Sequence, residues 1–66
     1  MTKVRVLRIE RDFTAKALAE SLKIDDSILS LVERQKARAS DRVRFKLSSF
    51  FGVPETELFS DDRLAI

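Results

Sequence analysis

The chain has 66 residues, 44% of them hydrophobic and 36% charged, which suits one small folded domain with a modest core and excludes a disordered polymer. It has no cysteine and no histidine, so disulfides and thiolate or imidazole metal sites are excluded and neither a metal nor a cofactor is expected. The formal charge of +2 is small but unevenly spread: net +3 over residues 1–11, −2 over 12–32, +4 over 33–46 and −3 over 47–66.

Residues 3–11 are predicted as a first helix, with Val4, Leu7 and Arg11 on one stripe and Arg8 beside it. Lys3-Val4-Arg5-Val6 also alternates as a strand would, but the helix formers from Leu7 to Arg11 show no alternation and favour the helix. Asp12-Phe13 is the connection, and Phe13 is a core anchor. Thr14 then caps a second helix whose apolar face is Leu18 and Leu22 with Ala15 and Ala19 alongside. The small side chain of Ala19 lets another helix cross closely. Lys23-Ile24 is a tight turn. Asp25 caps a third helix that places Leu29 and Val32 on one face, and Ile24 before the cap can staple to Leu29. Two short helices with these faces and so short a connection bury them by crossing on a third element, which is a helix-turn-helix arrangement.

After Val32 the run Glu33-Arg34-Gln35-Lys36-Ala37-Arg38-Ala39 has no apolar stripe and reads as a helix end and a loop. Ser40 caps a fourth helix, Asp41 suits its positive end, and Val43, Leu47, Phe50 and Phe51 form its buried face. Gly52, the one glycine, ends that helix in the left-handed conformation. Pro54 opens a last helical turn with Leu58 and Phe59 as its apolar pair, and residues 60–66 read as a C-terminal tail. No repeat, low-complexity stretch or second domain is evident. No apolar run approaches the roughly 20 residues of a membrane span, and no signal peptide is evident, so a cytoplasmic protein without a membrane partner is expected.

Taken in order, Leu7-Arg8, Phe13-Thr14, Leu18-Ala19-Glu20, Leu22-Lys23-Ile24, the spacing of Ala19, Leu29 and Val32-Glu33, then Ser40, Phe51-Gly52-Val53 and Glu57-Leu58-Phe59 form a pattern. It resembles the Cro/repressor, or XRE, type of helix-turn-helix domain over about residues 4–59. The resemblance implies an all-α, lambda-repressor-like fold of five helices in a single domain over 1–66, with its core at 4–59. The chain differs from the family pattern at Ala15, where glutamine is usual, and at Ala39, where proline is common. It also differs at Lys23 and Gln35, where glycine is usual. Arg44 stands where a core leucine is expected, and Phe45 beside it is expected to fill that space. If Lys23 and Gln35 keep a positive φ, each costs roughly 1 kcal/mol.

The resemblance also implies roles. The helix from Asp25 enters the major groove of double-stranded DNA, with Asp26, Ser27, Ser30 and Leu31 toward the bases. Serine pairs with several bases, aspartate accepts from cytosine N4, and leucine touches a thymine methyl. Phosphate contacts fall to Thr14, Lys16, Arg34, Lys36 and Arg38. Arg8 and Glu33 are expected to form a structural ion pair, as such domains with this pair of residues do. The favoured function is a sequence-specific transcriptional regulator, a repressor of phage or plasmid type, acting as a homodimer through the region of Phe50 to Ile66 and without a small-molecule effector. The competing reading is a helix-turn-helix module used for protein interaction or antirepression, motivated by Asp25, Asp26 and Leu31 on the reading helix. An enzyme is not expected: no nucleophile–base pair, metal cluster or phosphate-cradling loop can be assembled from these residues.

Overall fold

The first helix, α1 (Lys3–Glu10), owes its start to contacts from far along the chain. Thr2 at its N-cap makes no side-chain cap; its hydroxyl donates instead to the Glu33 carbonyl at 2.9 Å. The first amide of the helix, Lys3 N–H, donates to the Ile66 carbonyl at 2.7 Å. The computed structural model describes all residues 1–66, and four more helices follow: α2 (Ala15–Leu22), α3 (Asp26–Glu33), α4 (Asp41–Phe51) and the single turn α5 (Glu55–Leu58). The fold is all-α.

Each of the three middle helices starts on a short polar side chain that takes up an amide otherwise unpaired. Thr14 Oγ1 accepts from Ala17 N–H at 3.0 Å, Asp25 Oδ1 from Ser27 N–H at 2.8 Å, and Ser40 Oγ from Val43 N–H at 3.2 Å. The ends share a second device. After α1, α2, α3 and α4 one residue turns left-handed: Asp12 (φ 60°), Lys23 (φ 57°), Gln35 (φ 62°) and Gly52 (φ 68°). The next amide then reaches back five residues, from Phe13 to Arg8, Ile24 to Ala19, Lys36 to Leu31 and Val53 to Ser48, at 2.8–3.2 Å. This is the Schellman closure. Only one of the four positions has glycine, so the other three carry the cost of a Cβ in that region.

The core is built from Val4, Leu18, Ala19, Leu22, Leu29, Val32, Ala39, Val43, Leu47, Phe51, Leu58, Phe59 and Ala65. Leu7, Phe13, Ile24, Phe50 and Val53 pack against it half-buried. Phe13 and Phe50 meet edge to face at 5.5 Å, and Phe50 and Phe51 at 5.2 Å. Arg11 lies over the Phe51 ring at 5.1 Å and donates to the Phe50 and Phe51 carbonyls at 3.2 and 3.3 Å, placing a cation at the negative end of α4.

Three expectations need correction. Residues 60–66 are not a tail outside the core. Phe59 and Ala65 form an antiparallel bridge, Ile66 N–H donates to the Leu58 carbonyl at 3.0 Å, and Ala39 N–H donates to the Arg63 carbonyl at 2.9 Å. Gln35 Nε2 donates to the Ala65 carbonyl at 2.6 Å, and Ala65 is fully buried. The segment returns because its carbonyls satisfy amides of α1 and of the loop before α4, which no periodicity in its own residues reveals.

Phe45 does not fill the space at Arg44; it is 65% exposed. It lies two positions from both Val43 and Leu47, about 200° around the helix from that buried face. Arg44 occupies the place itself, with its side chain 15% exposed. It pairs with Asp41, donates to Glu55 Oε1 at 3.3 Å and to the Ala39 carbonyl at 3.1 Å, and so ties α4 to α5 and the preceding loop. Phe59, which lies inside the Phe50 to Ile66 region expected to make the dimer contact, is 5% exposed and belongs to the core.

Candidate nucleic-acid interface

The geometry of α3 begins with how it is held. Leu29 and Val32 face α2 and are fully buried. Glu33 at its last turn is buried as well, and Arg8 meets it with two parallel bonds, Nε to Oε2 at 2.8 Å and Nη2 to Oε1 at 3.0 Å. The third guanidinium nitrogen donates to the Phe13 carbonyl at 2.8 Å. With Thr2 on the Glu33 carbonyl, α1 thus fixes the C-terminal end of α3 from the inside. A bidentate guanidinium–carboxylate contact fixes orientation as well as distance. The outer face of α3 is thereby turned to solvent in one orientation.

On that face Asp26, Ser27, Ser30, Leu31 and Arg34 line one shallow concavity. Asp26, Ser27, Leu31 and Arg34 are exposed and Ser30 is half-buried. Ile28 also stands out, 47% exposed, next to Leu31 at 38%. Asp25 is occupied in capping Ser27, whereas the carboxylate of Asp26, in the first turn, makes no ion pair or side-chain hydrogen bond. Arg34 Nε donates to the Ser30 carbonyl at 3.3 Å, so its guanidinium is laid along the last turn of α3.

The phosphate candidates divide. Thr14 and Lys16 sit exposed at the start of α2, where free amides and the helix dipole favour an anion, although the Thr14 hydroxyl is engaged in capping. Lys36 is exposed just after the left-handed Gln35 and has no carboxylate within ion-pair distance. Arg38 is different: it lines a separate concavity with Asp61, Asp62 and Arg63, so its surroundings are of mixed charge. Hydrogen bonds from the Ser60 hydroxyl and the Leu64 amide, with a smaller contribution from Arg38, hold the Asp62 carboxyl below its ordinary range. Arg5 was not singled out from the sequence. It lines a further concavity with Arg34, Gln35 and Thr2, and the net +3 of residues 1–11 was the available signal.

The arrangement offers a polar helix face flanked by cations, without a nucleophile–base pair. No helix is long and apolar enough to cross a membrane. A family model described as helix-turn-helix matches residues 4–58. No curated protein and no solved structure matches the chain.

Proposed function

The chain belongs to the Cro/repressor, or XRE, type of helix-turn-helix family, whose members are DNA-binding regulatory domains and not enzymes; from that premise we propose that it is a transcriptional repressor of phage or plasmid type that reads the major groove with α3. Asp26, Ser27, Ser30 and Leu31 face the bases. Thr14, Lys16, Arg34 and Lys36 hold phosphates, with Arg38 contributing beside its acidic neighbours. The protein works in the cytoplasm as a homodimer on a two-fold site, without a small-molecule effector. Exposed Ile66 and half-buried Leu64, at the C-terminal end of the Phe50 to Ile66 region, supply the apolar part of the dimer contact. The observation that carries this reading is the rigid seating of α3 by Arg8 and Thr2 from within, which leaves a polar outer face next to exposed cations.

A second reading has its own observation. Ile28 and Leu31 are both exposed on α3, and Asp25 and Asp26 lead it, which suits a protein partner better than phosphate. Selection of binding sites from a random duplex library separates the two. The first reading expects a short two-fold motif to be enriched. A folded protein that enriches nothing, and shows no affinity for duplex DNA at low salt, supports the second.

A further inference from the structure

We infer that the groove between the end of α2 and the middle of α4 is a docking site for an acidic segment of a protein partner that carries an apolar side chain among its carboxylates. The groove is lined by Leu22, Lys23, Phe45, Lys46 and Phe50, with two serines between them, and Arg42 stands at its rim. It shares no residue with the concavity on α3.

Two features of the groove call for an occupant, and they call for the same one. The first is apolar. Phe45 is 65% exposed, more than any other large apolar side chain except Met1, and half-buried Phe50 lies beside it. An exposed aromatic with a polar rim is the usual form of an interface anchor. The second is charge. Lys46 Nζ donates to the Leu22 carbonyl at 2.6 Å and Arg42 Nη2 to the Lys23 carbonyl at 3.4 Å, so the cations gather at the end of α2. The carbonyl end of a helix carries about half a negative charge, against three positive ones here. None of the three makes an ion pair; the ion pairs of the molecule are Arg8–Glu33, Arg44–Asp41 and Arg44–Glu55. Lost hydration, then repulsion from Arg42 and Lys23, holds the Lys46 ammonium below the usual lysine range. A carboxylate in the groove relieves that repulsion.

Charge complementarity selects the occupant. A second copy laid symmetrically on this face brings two cationic triads together and is repelled. A DNA strand answers the cations but leaves the Phe45 ring in water. An acidic segment with one apolar side chain answers both, by the groove-docking mode common for peptides.

The test is an NMR titration of the isotopically labelled full chain with a short peptide of alternating glutamate and aspartate around one tryptophan and one leucine. The control peptide has every acid replaced by its amide. The acidic peptide should shift the amides of Lys23, Phe45, Lys46 and Ser49, and the amide control should bind about tenfold more weakly or worse. Phe45→Ala should weaken binding about tenfold while leaving the melting temperature unchanged, since the ring is exposed, and Arg42→Glu should weaken it similarly. The inference is overturned if neither peptide moves these amides, if both bind equally, or if the shifts fall elsewhere. It is also overturned if random duplex DNA shifts the same amides and displaces the peptide, which makes the groove part of the DNA footprint. Shifts of the same amides on dilution alone assign the groove to a second copy and overturn it too.

Discussion

At the scale of single residues, Arg8 and Glu33 carry the most consequence, because their side chains are 12% and 4% exposed and each satisfies the other's charge. Removing one partner leaves a buried charge unmatched, at a cost of about 3–5 kcal/mol. A domain of this size has a total stability of the same order. Arg8→Ala should therefore unfold the protein or nearly so in urea denaturation, whereas a double change to Met and Leu should recover most of the loss; an unchanged midpoint for Arg8→Ala would contradict the role given to the pair. Lys23 and Gln35 differ in a way that only the structure reveals. Both are left-handed, so both sit where glycine is less strained. Lys23→Gly should raise stability by about 0.5–1 kcal/mol after the extra freedom of the unfolded chain is counted. Gln35→Gly should bring no such gain, since it removes the 2.6 Å bond to the Ala65 carbonyl. Thermal melts of the two variants side by side decide it. At Asp26 the question is recognition: if its carboxylate accepts from cytosine, Asp26→Ala should cost about 1–3 kcal/mol on the best site and relax one base position. Tighter binding to every sequence would mean instead that it only repels phosphate. Helical spacing made the inward face of Leu29 and Val32 legible, and the outward placement of Asp26, Ser27 and Leu31 came from the resemblance. The gathering of Arg38, Asp61 and Asp62 around one concavity was not legible, because those residues lie more than twenty positions apart and come together only when the chain returns.

Among the elements, the three middle helices were legible because each begins on a capping side chain and carries its own apolar stripe, whereas α1 showed only its stripe and helix formers and α5 only Pro54 and the Leu58/Phe59 pair. The end of α1 fell one residue early, at Glu10, because the chain turns left-handed at Asp12 to bring Phe13 back onto Arg8. The segment after Phe59 was not legible. Ala65 is a single small residue between half-buried Leu64 and exposed Ile66, and it is drawn in by the Gln35 side-chain amide on its carbonyl and by the backbone bonds of Ile66 to Leu58 and Lys3 rather than by a pattern. A chain cut after Ser60 should accordingly lose amide partners at the start of α1 and before α4, together with the cover over Phe59. Its cooperative thermal transition should disappear or fall by many degrees. A truncated chain that melts with the full one would show that the return adds nothing to the fold. Arg44 teaches the same lesson in reverse: a charged residue in a core register was accommodated because Asp41, Glu55 and the Ala39 carbonyl surround its head group.

For the molecule as a whole, the faces are separate: α1 locks α3 from inside, the outside of α3 and Lys36 after it are exposed, and the groove at Phe45 lies elsewhere. The net charge of +2 says little about binding DNA, but Arg34 and Lys36 put exposed cations at the end of α3, where counterion release would supply affinity. A phosphate contact carries no sequence information, so its removal weakens binding to all sequences alike. Lys36 is the cleanest residue for this test, being exposed and free of any ion pair. The decisive measurement is the affinity of the wild-type protein and of Lys36→Ala for random duplex DNA over a series of salt concentrations, with folding checked in each sample. DNA binding through this face requires measurable affinity at low salt, a steep fall of log affinity with log salt, and a slope smaller by about 1 in the variant. A folded wild-type protein with no affinity at low salt, or a variant with the wild-type slope and affinity, would contradict it.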